Sequence, residues 1–327
     1  MPEAPSTDIT GEPAGRAGGL RLAARITVTL ALLAFVLWKI DVRALAASVS
    51  GLSWPWVLAV FAVVYAAIIV STWKWGAILS RRGLPAPFGP LLRFYMIGQF
   101  FNNVLPTTIG GDVVRAWEHS KTSGDVPGSA GSVVSERLIA GVAQGVATVF
   151  ALAFVRVSPE MLALALGFLV MDLVFAGLFA VPRVAEGLSR SVLGARFGGT
   201  HDIVVETVRE VRQTLRDPWV LVRVGLLSLL FQVCVAGVNY CIFHAMGVPV
   251  TLAQCLVFTP MIFTVTPLPI SIAGFGVREA SYVFFFGQIG VAAPAAVAAS
   301  FLFFAIVAVA SLPGAPLFAV SKGRVAA

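Results

Sequence analysis

Two stretches of this chain, Val224 to Val277 and Ala280 to Ser321, contain no Asp, Glu, Lys or Arg between them and their flanking charges. A helix crosses a bilayer with about 20 apolar residues, since each adds roughly 1.5 Å across a hydrocarbon core about 30 Å thick. Segments of this length without a charge belong in lipid. The rest of the chain agrees: of 327 residues, 58% are apolar and 12% charged, about half the charged share of a soluble domain. In hydrocarbon every backbone polar group needs an internal partner, so the chain must fold as membrane-spanning helices.

Apolar runs near 22–38, 54–73, 133–155, 161–181, 219–243 and 294–318 read as spans. Two more, 89–110 and 252–274, are interrupted by Pro and Gly. The expected fold is an all-α polytopic membrane protein with six to eight crossings and two broken, re-entrant segments. The upper count comes from residues 280–291, apolar where their counterparts near 117–128 are polar, which leaves room for an additional helix. Arg16, Arg21 and Arg25 before Ile26–Trp38 resemble a signal peptide, with Ala44-Leu45-Ala46 as a cleavage site. Lys39, Asp41 and Arg43 stand where a signal peptide is uncharged, so a retained first span is expected. Residues 1–19 read as a disordered cytoplasmic tail, 20–320 as one membrane domain and 321–327 as a second short tail. In the polar interval 182–217, Val204, Val208, Val211 and Leu215 recur at helical spacing and predict an amphipathic helix on the membrane surface.

The formal net charge of +7 is here a topology signal, because basic residues of membrane proteins gather in cytoplasmic loops. No run of Lys and Arg interleaved with aromatics occurs, so nucleic acid is not an expected partner. Arginine far outnumbers lysine in this Ala/Gly-rich chain, as in proteins of GC-rich bacterial genomes. Cys234, Cys241 and Cys255 lie in or beside apolar segments and read as small apolar fillers. His119 in a loop, His201 in the polar interval and His244 at a span end have no ligand-spaced companions, so no metal site is expected. Gly15-x-x-Gly18-Gly19 lacks the lysine of a phosphate-cradling loop, and no cofactor is expected.

The chain repeats at an offset of 163 residues. Pro55-Trp56-Val57-Leu58 returns as Pro218-Trp219-Val220-Leu221, each opening a span. Leu105-Pro106-x-x-Ile109-x-Gly111-x-x-Val114-Arg115 returns as Leu268-Pro269-x-x-Ile272-x-Gly274-x-x-Val277-Arg278. The halves run over about 50–160 and 213–320. Placing every Lys/Arg-rich loop in the cytoplasm makes the two copies run in opposite senses. That inverted repeat is frequent in secondary transporters, where paired broken segments surround a midplane site.

The candidate site follows from residues a lipid-facing helix would avoid. Gln99, Asn102 and Asn103 need hydrogen-bond partners in hydrocarbon. Pro106 removes a donor and Gly110-Gly111 allow a tight reversal, with Pro269, Gly274 and Gly276 their counterparts in the second half. Asp112 stands where a helix-capping residue would. Arg115 and Arg278 occupy matching positions, and a guanidinium matches phosphate bidentately; both are expected to contact one headgroup. Glu279 adjoins Arg278 and partly neutralises it. Glu136 and Arg137 are adjacent on a helix, about 100° apart, and are expected to serve different partners. Asp172 sits mid-span, where a carboxylate is a counter-ion or proton-carrier candidate.

The run Asn102-Asn103-x-Leu105-Pro106-x-x-x-Gly110-Gly111-Asp112-x-x-Arg115, then Glu136-Arg137, then Pro269-x-x-x-x-Gly274-x-Gly276-x-Arg278-Glu279, resembles the membrane region of lysylphosphatidylglycerol synthases. That region defines a broader group of flippase-like membrane proteins, and the resemblance covers roughly residues 20–320. In the bifunctional synthases it accompanies a cytosolic aminoacyl-transferase domain. No stretch up to Ala327 reads as such a domain, so the resemblance implies lipid translocation without lysyl transfer. The implied cargo is an anionic phospholipid or a polyprenyl- or hopanoid-type envelope lipid, moved across a bacterial cytoplasmic membrane; the Lys/Arg distribution puts both termini in the cytoplasm. The competing expectations are a non-catalytic partner of envelope-synthesis enzymes and a lipid-modifying membrane enzyme.

Overall fold

The computed structural model of the chain describes residues 49–105, 109–180, 201–267, 271 and 274–323. The expected span 22–38, the tail 1–19, and the two motif prolines Pro106 and Pro269 lie outside the described residues.

The first half begins with α1 (Trp54–Arg81), followed by α2 (Phe88–Val104), α3 (Gly110–Ser123) and α4 (Val126–Ala151), which ends in a 3-10 turn at Leu152–Phe154. Helix α5 (Pro159–Ala180) and the amphipathic α6 (His201–Leu215) lead to the second half. There α7 (Pro218–Ala245), α8 (Leu252–Val265), α9 (Val277–Gly287) and α10 (Ala293–Ser311) repeat the order of α1–α4, and α11 (Gly314–Gly323) follows. Helices α1 and α7 are both 28 residues long. Local chemistry sets these boundaries. Prolines occupy the first turns of α1, α4 and α7, where a missing N–H costs nothing. Asp125 and Asp217 accept hydrogen bonds from the amides opening α4 and α7, and Gly124 ends α3 at φ 72°.

Among the described residues, five helices are long and apolar enough to cross a membrane: Trp54–Arg81, Val126–Phe154, Pro159–Phe179, Pro218–Ala245 and Ala293–Val320. They match five of the six spans read from hydropathy, the sixth being 22–38. The additional helix allowed at 280–291 is not a span of its own. Those residues mostly belong to α9, the short return leg of a hairpin whose Phe285 and Phe286 pack back onto Phe258 of α8.

The two halves are joined in opposite senses. At one end of the bundle the amide of Ser53, before α1, bonds the carbonyl of Ala245, the last residue of α7, at 2.9 Å. At the other end Arg81 Nε meets Asp217 Oδ2 at 2.6 Å. Helices α1 and α7 are therefore antiparallel along their full length. The side chains repeat the symmetry. Trp56 packs against His244 with tilted rings whose centres are 5.0 Å apart, and its counterpart Trp219 lies under Arg81, the counterpart of His244, at 6.0 Å.

Helix α6 carries its apolar stripe onto the bundle. Val211 and Thr214 are buried, and a Cβ on Gly131 of α4 would come 2.7 Å from Glu210 Cβ. Arg82 bonds both Glu210 and Gln213, tying this helix to the end of α1. The predicted surface helix thus packs on protein as well as being amphipathic.

The guanidinium of Arg81 beside Asp217 holds its carboxyl below the usual aspartate range. A depressed carboxyl contributes stability that is present above its unfolded value, near about 3.9, and lost as pH falls through the folded one. Wild type should therefore lose stability relative to Asp217→Asn as pH drops below about 4. Thermal unfolding in detergent across that range checks this, and parallel curves would show the pair contributes nothing.

Candidate functional site

Helices α2 and α3 form a hairpin that packs unusually closely. A Cβ on Gly98 would lie 2.8 Å from the carbonyl oxygen of Gly111, and one on Gly111 would overlap the backbone of Gly98. Small residues let helix backbones approach in this way in membranes. Asn102 Oδ1 accepts the amide of Gly111 at 2.8 Å, so Asn102 satisfies a donor at the start of α3. Two expectations change here. Asp112 is not the cap, and Gly110 and Gly111 lie in the first turn of α3 without a positive φ, their small size serving the close approach. Asn103 Nδ2 bonds the carbonyl of Gln99 at 2.9 Å and Ser311 Oγ of α10 at 3.1 Å, which ties the hairpin to the second half.

Asp112, freed from capping, joins a buried ionic cluster. Its Oδ1 accepts from Arg115 Nε at 3.0 Å and its Oδ2 from Arg137 Nε at 2.8 Å. Arg115 Nη1 reaches Glu136 Oε2 at 2.6 Å, and Lys74 Nζ lies 3.1 Å from Glu136 Oε1. Lys74, Asp112, Arg115 and Glu136 are buried, whereas the Arg137 side chain is 59% exposed. As expected, Glu136 and Arg137 serve different partners. The Arg115 guanidinium is sandwiched between Trp75 and Tyr95, 5.1 and 4.9 Å from their ring centres. Three cations thus face two carboxylates, an excess of one positive charge.

The second half keeps the arginine and changes everything around it. Arg278 Nη2 meets Glu279 Oε1 at 2.7 Å, and Ser300 bonds both of them. Glu279 Oε2 also accepts the amide of Gly276 at 2.6 Å, a contact made possible by Gly276 at φ 83°. Gly274 at φ 74° turns the chain against Thr266. The counterparts of Asp112 and Glu136 are Phe275 and Ala299, and that of Lys74 is Gly237. Phe275 and Phe304 flank Arg278 instead, at 5.1 and 4.9 Å. This cluster is charge-balanced. Among the described residues, the bonds and ring contacts of Arg115 lie within the first half and those of Arg278 within the second, and the two arginines share no partner.

Several polar residues here were not singled out in the sequence. Lys74, just beyond the expected span 54–73, sits inside α1 as a member of the cluster. Gln144 Nε2 bonds Thr264 Oγ1 at 2.6 Å and the Pro260 carbonyl at 3.0 Å, while Gln232 donates to Gln144 Oε1 at 3.3 Å. This joins α4 to α7 and α8 across the repeat. Asn239, Thr259 and Tyr282 form another buried chain at 3.1 and 2.7 Å. His119 lies in α3, not in a loop, buried against Ser129 at 2.7 Å.

Asp172 stands apart from these clusters. It faces α4, where a Cβ on Gly141 would be 3.2 Å from its Oδ1, and its Oδ2 is buried without a hydrogen-bond partner among the described residues. A buried acceptor left unsatisfied costs about 1–3 kcal/mol. Asp172→Leu should accordingly raise the unfolding temperature in detergent; a lowered value would mean that the carboxyl holds α5 in place.

The chain matches the family described as lysylphosphatidylglycerol synthase TM region over residues 22–314, which takes in both arginine clusters. A search among curated proteins finds no match.

Proposed function

The chain belongs to the lysylphosphatidylglycerol synthase transmembrane-region family, membrane proteins tied to lipid modification or transport, and we propose that it moves an anionic or amphipathic envelope lipid between the leaflets of a bacterial cytoplasmic membrane. The observation that carries this reading is an ionic cluster of three cations and two carboxylates on a tight hairpin, whose fifth member, the Arg137 guanidinium, is exposed. The buried ions balance, so the surplus charge lies at the exposed Arg137, and an anion bound there would neutralise it through a charge-assisted contact. A lipid phosphate supplies that anion while its acyl chains stay in hydrocarbon.

The end of the bundle holding Arg81, Arg82 and α6 is cytoplasmic on this reading, because it gathers the basic residues. Hairpin α2–α3 then enters the membrane from the cytoplasm and α8–α9 from outside. Arg137, the exposed guanidinium, makes the first contact with phosphate by exchanging part of its bond to Asp112. Arg115 stays paired and keeps the field positive. The balanced Arg278–Glu279 cluster holds anions less strongly, which favours release on the far side. In this scheme Gln99, Asn102 and Asn103 order the hairpin tip, and Asp172 is the candidate for proton coupling. No covalent chemistry is required of any residue.

Fluorescent phosphatidylglycerol in proteoliposomes tests this. Arg137→Gln should slow leaflet exchange about tenfold or more, the cost of one charge-assisted contact. Arg137→Lys should recover only part, since a point charge cannot reproduce a bidentate fork. Exchange unaltered by Arg137→Gln, at equal protein content, would remove the cluster from the transport route.

A further inference from the structure

A second feature lies on the opposite face of α1 from Lys74 and Trp75. Trp73, Gly76, Phe88, Leu91, Trp219 and Arg223 line a groove of about 530 Å³ between α1, α2 and α7. That volume falls within the roughly 300–1,000 Å³ typical of small-ligand clefts. Its depth comes from Gly76, where a Cβ would lie 3.1 Å from Leu91 Cδ1. Its walls face the surroundings of the bundle: Trp73 is 53% and Trp219 45% exposed. Both belong to spans, so that exposure is exposure to lipid or to the headgroup layer, where tryptophan concentrates.

Charge selects the occupant. Arg223 lies one turn into α7, stacked over Trp219 at 4.8 Å, and has no carboxylate partner among the described residues. The nearby Asp217 is already bonded to Arg81 at 2.6 Å. A guanidinium at the rim of an apolar groove, at the arginine-rich end of a membrane bundle, is complementary to a phosphate attached to acyl chains. We propose that this groove holds one anionic glycerophospholipid of the adjoining leaflet, its phosphate on Arg223 and an acyl chain along Gly76 and Leu91. The inference rests on the lipid-transport reading and extends it: the groove is a loading site, distinct from the ionic cluster that Arg137 opens.

Native mass spectrometry of the purified full chain in detergent tests the proposal, with dioleoylphosphatidylglycerol or dioleoylphosphatidylcholine added. Wild type should retain the anionic lipid in preference. Arg223→Gln should weaken that retention about tenfold while leaving phosphatidylcholine unchanged. Gly76→Phe, which fills the floor against a flexible leucine tip, should lower retention of both. Retention by Arg223→Gln equal to wild type overturns the site, as does an equal loss of both lipids in that variant. Displacement of the phospholipid by an equal concentration of glycerol 3-phosphate would overturn the lipid in favour of a free phosphate. Loss of retention in Arg223→Gln without any translocation by wild type would leave the groove standing and refute the transport reading alone. Translocation that needs Arg137 but ignores both groove variants would do the reverse.

Discussion

Glu136→Gln should be among the most destabilising single changes in the protein, costing about 3–5 kcal/mol, because it removes one partner of a buried ion network. Glu136 holds Arg115 at 2.6 Å and Lys74 at 3.1 Å, and all three are buried. Without its charge, two buried cations are left with Asp112 alone, which Arg137 already shares. Thermal unfolding in detergent measures the loss. The mechanism also predicts rescue: Lys74→Met should restore part of the stability in the Glu136→Gln background while destabilising wild type. Additive losses would mean that Lys74 and Glu136 are not coupled. At the second cluster Glu279→Gln should also be costly, since the buried Arg278 would keep only the neutral Ser300 hydroxyl at 3.0 Å.

Gly111→Ala carries the second large effect. The added methyl overlaps the Gly98 backbone and comes 2.6 Å from Asn102 Cγ, so α2 and α3 must part. Overpacking of this kind costs about 1–3 kcal/mol, and losing the Asn102 bond to the Gly111 amide adds about 1 kcal/mol. Gly225→Ala is the control. No atom lies within 4 Å of its added Cβ, and in a helix alanine is favoured over glycine by up to about 1 kcal/mol. The first variant should unfold at lower temperature than wild type and the second no lower. Equal behaviour would mean that the hairpin tolerates separation of its legs.

Much of the fold was legible because hydrophobic length and motifs repeated at one offset are properties of the chain itself. The offset of 163 residues places Trp54–Arg81 on Pro218–Ala245 almost end to end, and positive charge indicated their opposite senses before Arg81 and Asp217 were seen to meet. The site was legible only in part. Spacing identified Arg115, Glu136 and Arg137 as separate oddities, but which helices adjoin is decided by packing. Thus a contact spanning 21 residues, Arg115 to Glu136, and the entry of Lys74 from another helix could not be read. The repeat also misled. It made Arg115 and Arg278 equivalent, whereas Phe275 and Ala299 replace the two carboxylates and Glu279 supplies a different one. Repetition conserved the arginine's place in the hairpin and left its electrostatic surroundings free to diverge. Gly110 and Gly111 were read as allowing a tight reversal, with Gly274 and Gly276 as counterparts; of these four only Gly274 and Gly276 have positive φ, and Gly111 is small because Gly98 is close.

The most direct measurement is the rate at which the wild-type protein alone, reconstituted in liposomes, exchanges lipids between leaflets. Fluorescent phosphatidylglycerol and phosphatidylcholine would be followed by quenching from outside, against protein-free liposomes of the same composition. A cluster with one cation in excess predicts exchange well above the protein-free rate, faster for the anionic lipid than for the zwitterionic one. Rates equal to those of protein-free liposomes for both lipids, with the protein folded and inserted, would contradict the account.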